Sequence, residues 1–329
     1  LLLLKTKSDL KPLNFILLLF LSFLEICFAL KPNFSAETRL RLENFHNDTI
    51  TTASTASYLR SRLNIDFSSR YYKIYFQLQD SRLLGNQENS PGIAGGINTS
   101  PALHQIYGEL NSPFGGRNKI RFGRFEMPLG NQRLFSKNNW NNQGRSFEGL
   151  TNTRKTKRGD VLFFHLINTD LYPMNDQFDY IIDGVYGSAK VNFTRPPEQT
   201  IDSESNFSKE SPLSLEYYIF NENIVINPGT NTKRRQTLGF RLTKSFKRIN
   251  IETEYAYQTG KFYLDEIKAS LASINIEIPL NFSPYIKSLS FSKEYISGDE
   301  YLLGGSDGEL GGFAKPFGAA HKFHGYYDN

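Results

Sequence analysis

Between residues 58 and 67 apolar and polar residues alternate: Leu59, Leu63, Ile65 and Phe67 share one parity, and Arg60, Arg62, Asn64 and Asp66 share the other. A two-residue period is that of a pleated strand, whose successive side chains point to opposite faces. The neighbouring stretches repeat it. Leu40 and Leu42 alternate with Arg39, Arg41 and Glu43, and Tyr72, Ile74, Phe76 and Leu78 oppose Lys73, Gln77 and Gln79. Ser68-Ser69-Arg70 reads as a tight turn between two of these runs. Three consecutive strands therefore carry their cations on one face and their hydrocarbon on the other.

The scheme continues through residues 103–111, 161–167, 178–191, 213–220, 237–246, 249–258, 267–278 and 283–297. With the earlier runs this predicts about a dozen strands, near the length of a tilted membrane crossing. Residues 85–101, rich in Gly and Pro, and residues 195–212, with Pro196 and Pro197, read as loops. The best helical candidate, residues 263–273, fits alternation equally well. The hairpin is the one repeated unit, and no domain boundary stands out.

Composition narrows the class. A mean hydropathy of -0.43 excludes a helical membrane protein but suits strands that spend only every second residue on lipid. The 27 Phe and 18 Tyr favour strands and interfacial girdles, and also fit a soluble sandwich. A net charge of +5 points to an anionic partner. Nucleic acid is not that partner: there is no zinc-finger, helix-turn-helix or RNP pattern, and the cations are dealt out along strands rather than gathered in one arm.

Residues 1–29 read as an export signal, and residues 30–329 as the mature β domain. Lys5, Lys7 and Lys11 precede the apolar run 15–24, which is short for a membrane span, and Cys27-Phe28-Ala29 places small residues three and one positions before a cut. Leu24-Glu25-Ile26 is a poor context for lipidation of Cys27. Cleavage after Ala29 removes the only cysteine and with it any disulfide framework. The first residue, Leu1, and the last, Asn329, both read as the ends of a partial frame.

Residues 119–150 hold the most specific pattern. Ile120 and Phe122 alternate with Lys119 and Arg121, and Gly123, Gly130, Gly144 and Gly149 then punctuate a loop carrying Arg124, Arg133, Arg145 and the sole tryptophan, Trp140. So much arginine suits a wet constriction rather than a dry core. Gly123-Arg124, Gly130, Arg133-Leu134, Trp140 and Arg145-x-Phe147-acid-Gly149 resemble the signature block of the bacterial alginate export porin family, outer-membrane β-barrels with a cationic lumen. Phe125 stands where that family usually has glutamine, and Asn131 and Glu148 where it usually has aspartate. Leu238-Gly239-Phe240-Arg241-Leu242, Glu254-x-x-x-Gln258-x-Gly260, Ser297-Gly298-Asp299 and His321-Lys322-Phe323-His324-Gly325 extend the resemblance over nearly the whole mature chain.

The expected fold is therefore all-β, a transmembrane antiparallel β-barrel in the outer membrane of a Gram-negative bacterium; the resemblance implies about 18 strands, with this chain incomplete at its C-terminus. The expected function is a channel for an alginate-like anionic polysaccharide or smaller anions, in contact with outer-membrane lipid and periplasmic export machinery. Arg124, Arg133 and Arg145 would sit near the constriction, with Arg39, Arg41, Arg60, Arg62, Lys73, Arg121 and Arg241 along the wall. Glu43, Asp66, Glu109, Glu252 and Glu254 could pair with these cations, leaving a neutral ladder as the competing reading. Trp140 reads as a packing or interfacial anchor, with a sugar platform as the alternative. Two other functions remain open: a general small-solute porin, and a soluble secreted β-sandwich that binds carbohydrate. No catalytic constellation, cofactor or metal site is expected, since His46, His104, His165, His321 and His324 fall in no local motif with a nucleophile or further ligands.

Overall fold

The computed structural model describes residues 31–47, 50–84, 101–113, 116–167, 179–191, 211–227, 231–246, 249–262, 265–280, 286–298, 309–310 and 313–314. The export-signal reading of residues 1–29 lies outside them, as do all but the last residues of the loops expected at 85–101 and 195–212, and His321 and His324. The chain divides into two compact units, residues 1–111 and 112–329.

The first unit is a four-stranded antiparallel meander: β1 (Asn33–Asn47), β2 (Ile50–Ser68), β3 (Tyr72–Leu84) and β4 (Ala102–Asn111). Ser69 makes the turn into β3: its backbone N–H donates to Tyr72 O at 2.8 Å, and its hydroxyl oxygen accepts from the amides of Tyr71 and Tyr72. In register, Glu37 faces Arg62, Arg39 faces Arg60, and Arg41 faces Tyr58, so these side chains share a face. Burial is inverted relative to a soluble sheet. Arg60 is only 2% exposed, while Leu42 on the opposite face is 67% exposed.

The second unit is itself an antiparallel meander in sequence order: β5 (Asn118–Phe125), β6 (Phe147–Lys155), β7 (Asp160–Ile167), β8 (Asp179–Val191), β9 (Leu213–Asn227), β10 (Asn231–Phe246), β11 (Ile249–Phe262), β12 (Asp265–Pro279) and β13 (Ser288–Ile296). A two-residue strand, β14 (Glu309–Leu310), pairs with β12 in parallel. One face of this sheet leaves Phe122, Leu150, Phe163, Ile219, Leu238, Phe240, Ile274 and Phe291 exposed. The other is covered by residues 126–146, a strap joining β5 to β6. Rings on the covered face lie over glycines: a Cβ on Gly184 would stand 2.4 Å from the Phe164 ring and 2.6 Å from Phe220 Cβ.

The expected closed transmembrane barrel is not what forms. The strand order is linear, and among the described residues no ladder returns from β13 or β14 to β1. The sheet is open. Among the described residues a β-sandwich is not formed either, since within neither unit does a second sheet pack on the first.

Candidate functional site

The strap is anchored by its apolar residues. Phe135, 1% exposed, sets its ring 6.0 Å from Phe147, 5.6 Å from Phe164 and 5.0 Å from Phe220, the last two edge-on, with Leu134 and Met127 buried nearby in the chain. Gly130 takes φ +53°, and a Cβ there would meet Glu216 Oε2 at 2.9 Å, so only glycine allows this approach. Little space remains beneath: a cavity of about 20 Å³ lined by Leu129, Phe135, Tyr186, Glu216, Tyr218 and Arg241, among others, has room for about one water.

The polar tip of the strap is tied to three strands. Arg133 donates from Nε to Glu254 Oε2 on β11 at 2.8 Å and from Nη1 to Glu294 on β13. Asn131 Nδ2 donates to Glu252 at 3.0 Å and to Glu254 at 3.1 Å. Arg241 on β10 completes the cluster, with a forked pair of bonds to Glu216 at 2.8 and 2.5 Å and a third to Glu252 at 2.8 Å. Burial works to lower the Arg133 pKa, but the Glu254 and Glu294 carboxylates outweigh it and hold the guanidinium above the ordinary arginine value. Two arginines here face four carboxylates, so the cluster carries an excess of negative charge.

The first unit is the reverse. Arg39, Arg41, Arg60 and Arg62 share one face of β1 and β2 with Glu37, Glu43 and Asp66, and Lys73 of β3 and Glu109 of β4 continue that face, so five cations meet four carboxylates. Arg60 donates to Glu37 at 2.7 Å, and Arg41 forms an ion pair with Glu43 at 3.0 Å and lies over the Tyr58 ring. Arg62 donates to Gln79 Oε1 at 2.7 Å and contacts His104 Nε2 at 3.4 Å. Lys73 pairs with Asp66 at 2.5 Å.

The structure thus gathers Arg39, Arg41, Arg60 and Arg62 in one ladder and Arg133 with Arg241 in another cluster. Arg121 shares the strap-covered face and lies over the Phe125 ring at 5.5 Å. Arg124 does not stand in the loop. It lies on β5 opposite Glu148, bonds it at 3.3 Å, and shares the open apolar face with Phe122 and Leu150. Arg145 stands in the strap, its backbone N–H donating to Lys137 O at 2.9 Å. Sequence reasoning missed Arg235, whose fork grips Glu222 at 2.6 Å through both nitrogens while the Tyr180 hydroxyl donates to the same carboxylate, all buried. Its signal was the parity of Arg235 with Thr237 and Arg241 along β10. A second piece of chain on the covered face also went unforeseen: Gln258 exchanges two hydrogen bonds with the backbone of Ala314, at 2.8 and 2.9 Å. Among the described residues, no three His, Cys, Asp or Glu side chains group to hold a metal ion.

No curated protein sequence matches the chain. Among solved structures, a loop-deleted OmpT of Vibrio cholerae is similar at TM-score 0.34 and 9% identity, over 81% of this chain and 93% of that one. OprB of Pseudomonas putida is similar at 0.31 and 11%, over 82% and 89%. OmpF of Salmonella typhi, in complex with daunomycin, is similar at 0.26 and 9%, over 81% and 98%. Likenesses this weak support no inference about this chain. The family model for alginate export, in contrast, matches residues 31–329. The chain belongs to the alginate export family and is a β-rich transport protein of the Gram-negative outer membrane.

Proposed function

We propose that this protein passes anionic solutes, an alginate-like polysaccharide foremost, along the arginine-bearing face of its first unit, with the open apolar faces turned to lipid. The observation that carries this reading is the β1–β2 ladder. Like charges placed directly across a strand pair repel, yet Arg39 stands opposite Arg60, with Arg41 and Arg62 on the same face, and of the three carboxylates there Asp66 is already paired with Lys73, leaving Glu37 and Glu43 to offset four guanidiniums. Such an excess is stabilised by a mobile anion. A planar guanidinium fork suits carboxylates, and a uronate polymer offers one on each sugar.

Arg133 and Arg241 take a different part in this reading. Surrounded by Glu216, Glu252, Glu254 and Glu294, they hold the strap in place rather than attract an anion. That carboxylate excess favours, as a second reading, a general small-solute pathway with little charge preference. Reversal potentials of the full-length protein in planar bilayers under a salt gradient separate the two. Anion preference that falls when Arg39 and Arg62 are changed to Gln, together with current block by oligouronate, is expected. Equal anion and cation permeability would remove the first reading and leave the second.

A further inference from the structure

The ends of β5–β8 on the side of the β6–β7 turn carry charge that the arginine face and the strap do not use. Arg117, Arg154, Lys155, Lys157, Arg158 and Lys190 gather there, and all six are exposed. Backbone bonds tie their three segments together: Lys155 N–H donates to Arg117 O at 3.0 Å, and Lys190 N–H to Arg158 O at 2.7 Å. Thr156 fixes the turn, its hydroxyl oxygen accepting from the amides of Arg158 and Gly159 at 3.3 and 3.1 Å. Within residues 116–119, 153–161 and 188–191 Asp160 is the one carboxylate, and among the described residues none of the six cations pairs with an acid. The same strands show what this excess faces. Their open face is apolar up to this end: Val161 stands beside Arg154 in register, Phe163 is 48% exposed, and Val191, next to Lys190, is 37% exposed. Farther along that face charge is matched within the protein, Arg124 by Glu148 and His165 by Asp183. Four neighbouring strand ends span about 14 Å at the usual strand spacing, more than one small anion covers and enough for a row of head groups.

We propose that this basic rim is a docking surface for the head groups of anionic phospholipid. The phosphates meet the guanidinium and ammonium groups, while the acyl chains lie against the apolar face that carries Phe163 and Val191. Lysine and arginine suit such a boundary, because their stems rest on apolar surface while the charge stays at the wet end. This rests on the reading above that the open apolar faces meet lipid, and adds which lipid gathers at one rim of that face.

The full-length protein is reconstituted in vesicles of equal parts phosphatidylglycerol and phosphatidylcholine and extracted in mild detergent, and the lipid it retains is quantified by mass spectrometry. Phosphatidylglycerol is expected to exceed phosphatidylcholine about fivefold, as for one head group held by one cation. The excess should fade when extraction is done in about 1 M salt, where charges are screened within about 3 Å. The triple change Lys155→Gln, Lys157→Gln and Arg158→Gln should bring the two lipids to parity, whereas Lys155→Arg with Lys157→Arg should keep the excess. Glycerol phosphate in the buffer should leave the ratio unchanged, since the head group alone lacks the acyl chains. An undiminished excess in the triple variant would overturn the docking surface while the lipid-facing reading stands. Displacement of the lipid by a uronate hexasaccharide would overturn it too, assigning the rim to the solute. Wild-type protein that retains neither lipid would overturn the lipid-facing reading as well.

Discussion

Phe135→Ala tests whether the strap is held by its ring. The side chain is all but fully buried and touches three other rings, so its loss removes the transfer energy of a phenyl group and leaves a void under the strap. Core Phe→Ala changes cost about 3–5 kcal/mol. That cost falls on the attachment of residues 126–146 to the sheet, because β5–β13 keep their ladders. The strap carries its own reporters in Arg133, Lys137 and Arg145, which are trypsin sites. Cleavage of a native protein samples the transiently open segment, and its rate follows the open population when reclosing is fast. At about 1.4 kcal/mol per tenfold, the variant should be nicked after Lys137 and Arg145 at least about a hundredfold faster than the wild type. A trypsin time course followed by intact mass reads this, with fragments ending at 137 and 145 as the signature. If those sites stay as resistant as in the wild type while the variant remains folded, the aromatic contact does not hold the strap.

Arg133→Ala should loosen the same segment less, by about 1–3 kcal/mol, because Glu254 keeps Tyr218 and Asn131 as donors and Arg133 is partly solvated; a double-mutant cycle with Glu254→Gln in the same trypsin assay should show coupling. Arg235→Ala leaves the Glu222 carboxylate buried without its cation and should cost about 3–5 kcal/mol in denaturant unfolding, while the paired change Arg235→Met with Glu222→Leu should recover most of it. Gly184→Ala drives a methyl into the Phe164 and Phe220 side chains and the Ile219 carbonyl and should destabilise by about 1–3 kcal/mol, seen as a lower midpoint of heat-induced gel-mobility change. Anion preference in bilayers should fade as salt rises toward about 1 M, where the Debye length falls to about 3 Å; preference unchanged by salt would argue against a charge-based filter.

The strands were legible because parity is local. A residue's face is set by its immediate neighbours, so 72–78 and 161–167 could be placed from sequence and reappear in β3 and β7. β6 was not foreseen, for the same reason: Gly149 interrupts its alternation, and it ends on the basic pair Arg154 and Lys155. Arg124 illustrates the limit more sharply. It shares parity with Phe122, which the sequence already showed, but the surrounding glycines drew it into a loop reading, whereas the Gly123–Gly149 pairing keeps the strand continuous. Long-range pairing was beyond reach: Arg133 and Glu294 are 161 residues apart, and no pattern in the chain announces their meeting.

The two charged faces differ in what neutralises them, and this follows from where each carboxylate falls in register. In the second unit Glu216 and Glu254 stand directly across from Arg241 on either side, so the protein supplies its own counterions and the guanidinium becomes part of a fixed frame. In the first unit Arg60 has Arg39 on one side and Ser81 on the other, and Arg62 has Glu37 and Gln79. Neutral amides and hydroxyls orient a guanidinium by hydrogen bonding without cancelling its charge. The same residue type thus has its charge cancelled where acids flank it on both sides and keeps more of that charge where an amide or a hydroxyl takes one side. Replacing Gln79 by Glu should convert the second case into the first: Arg62 gains a facing carboxylate, the ladder loses one unit of excess positive charge, and anion preference in bilayers should drop with the fold intact. If preference instead survives Gln79→Glu unchanged, the excess charge of this ladder is not what selects the solute.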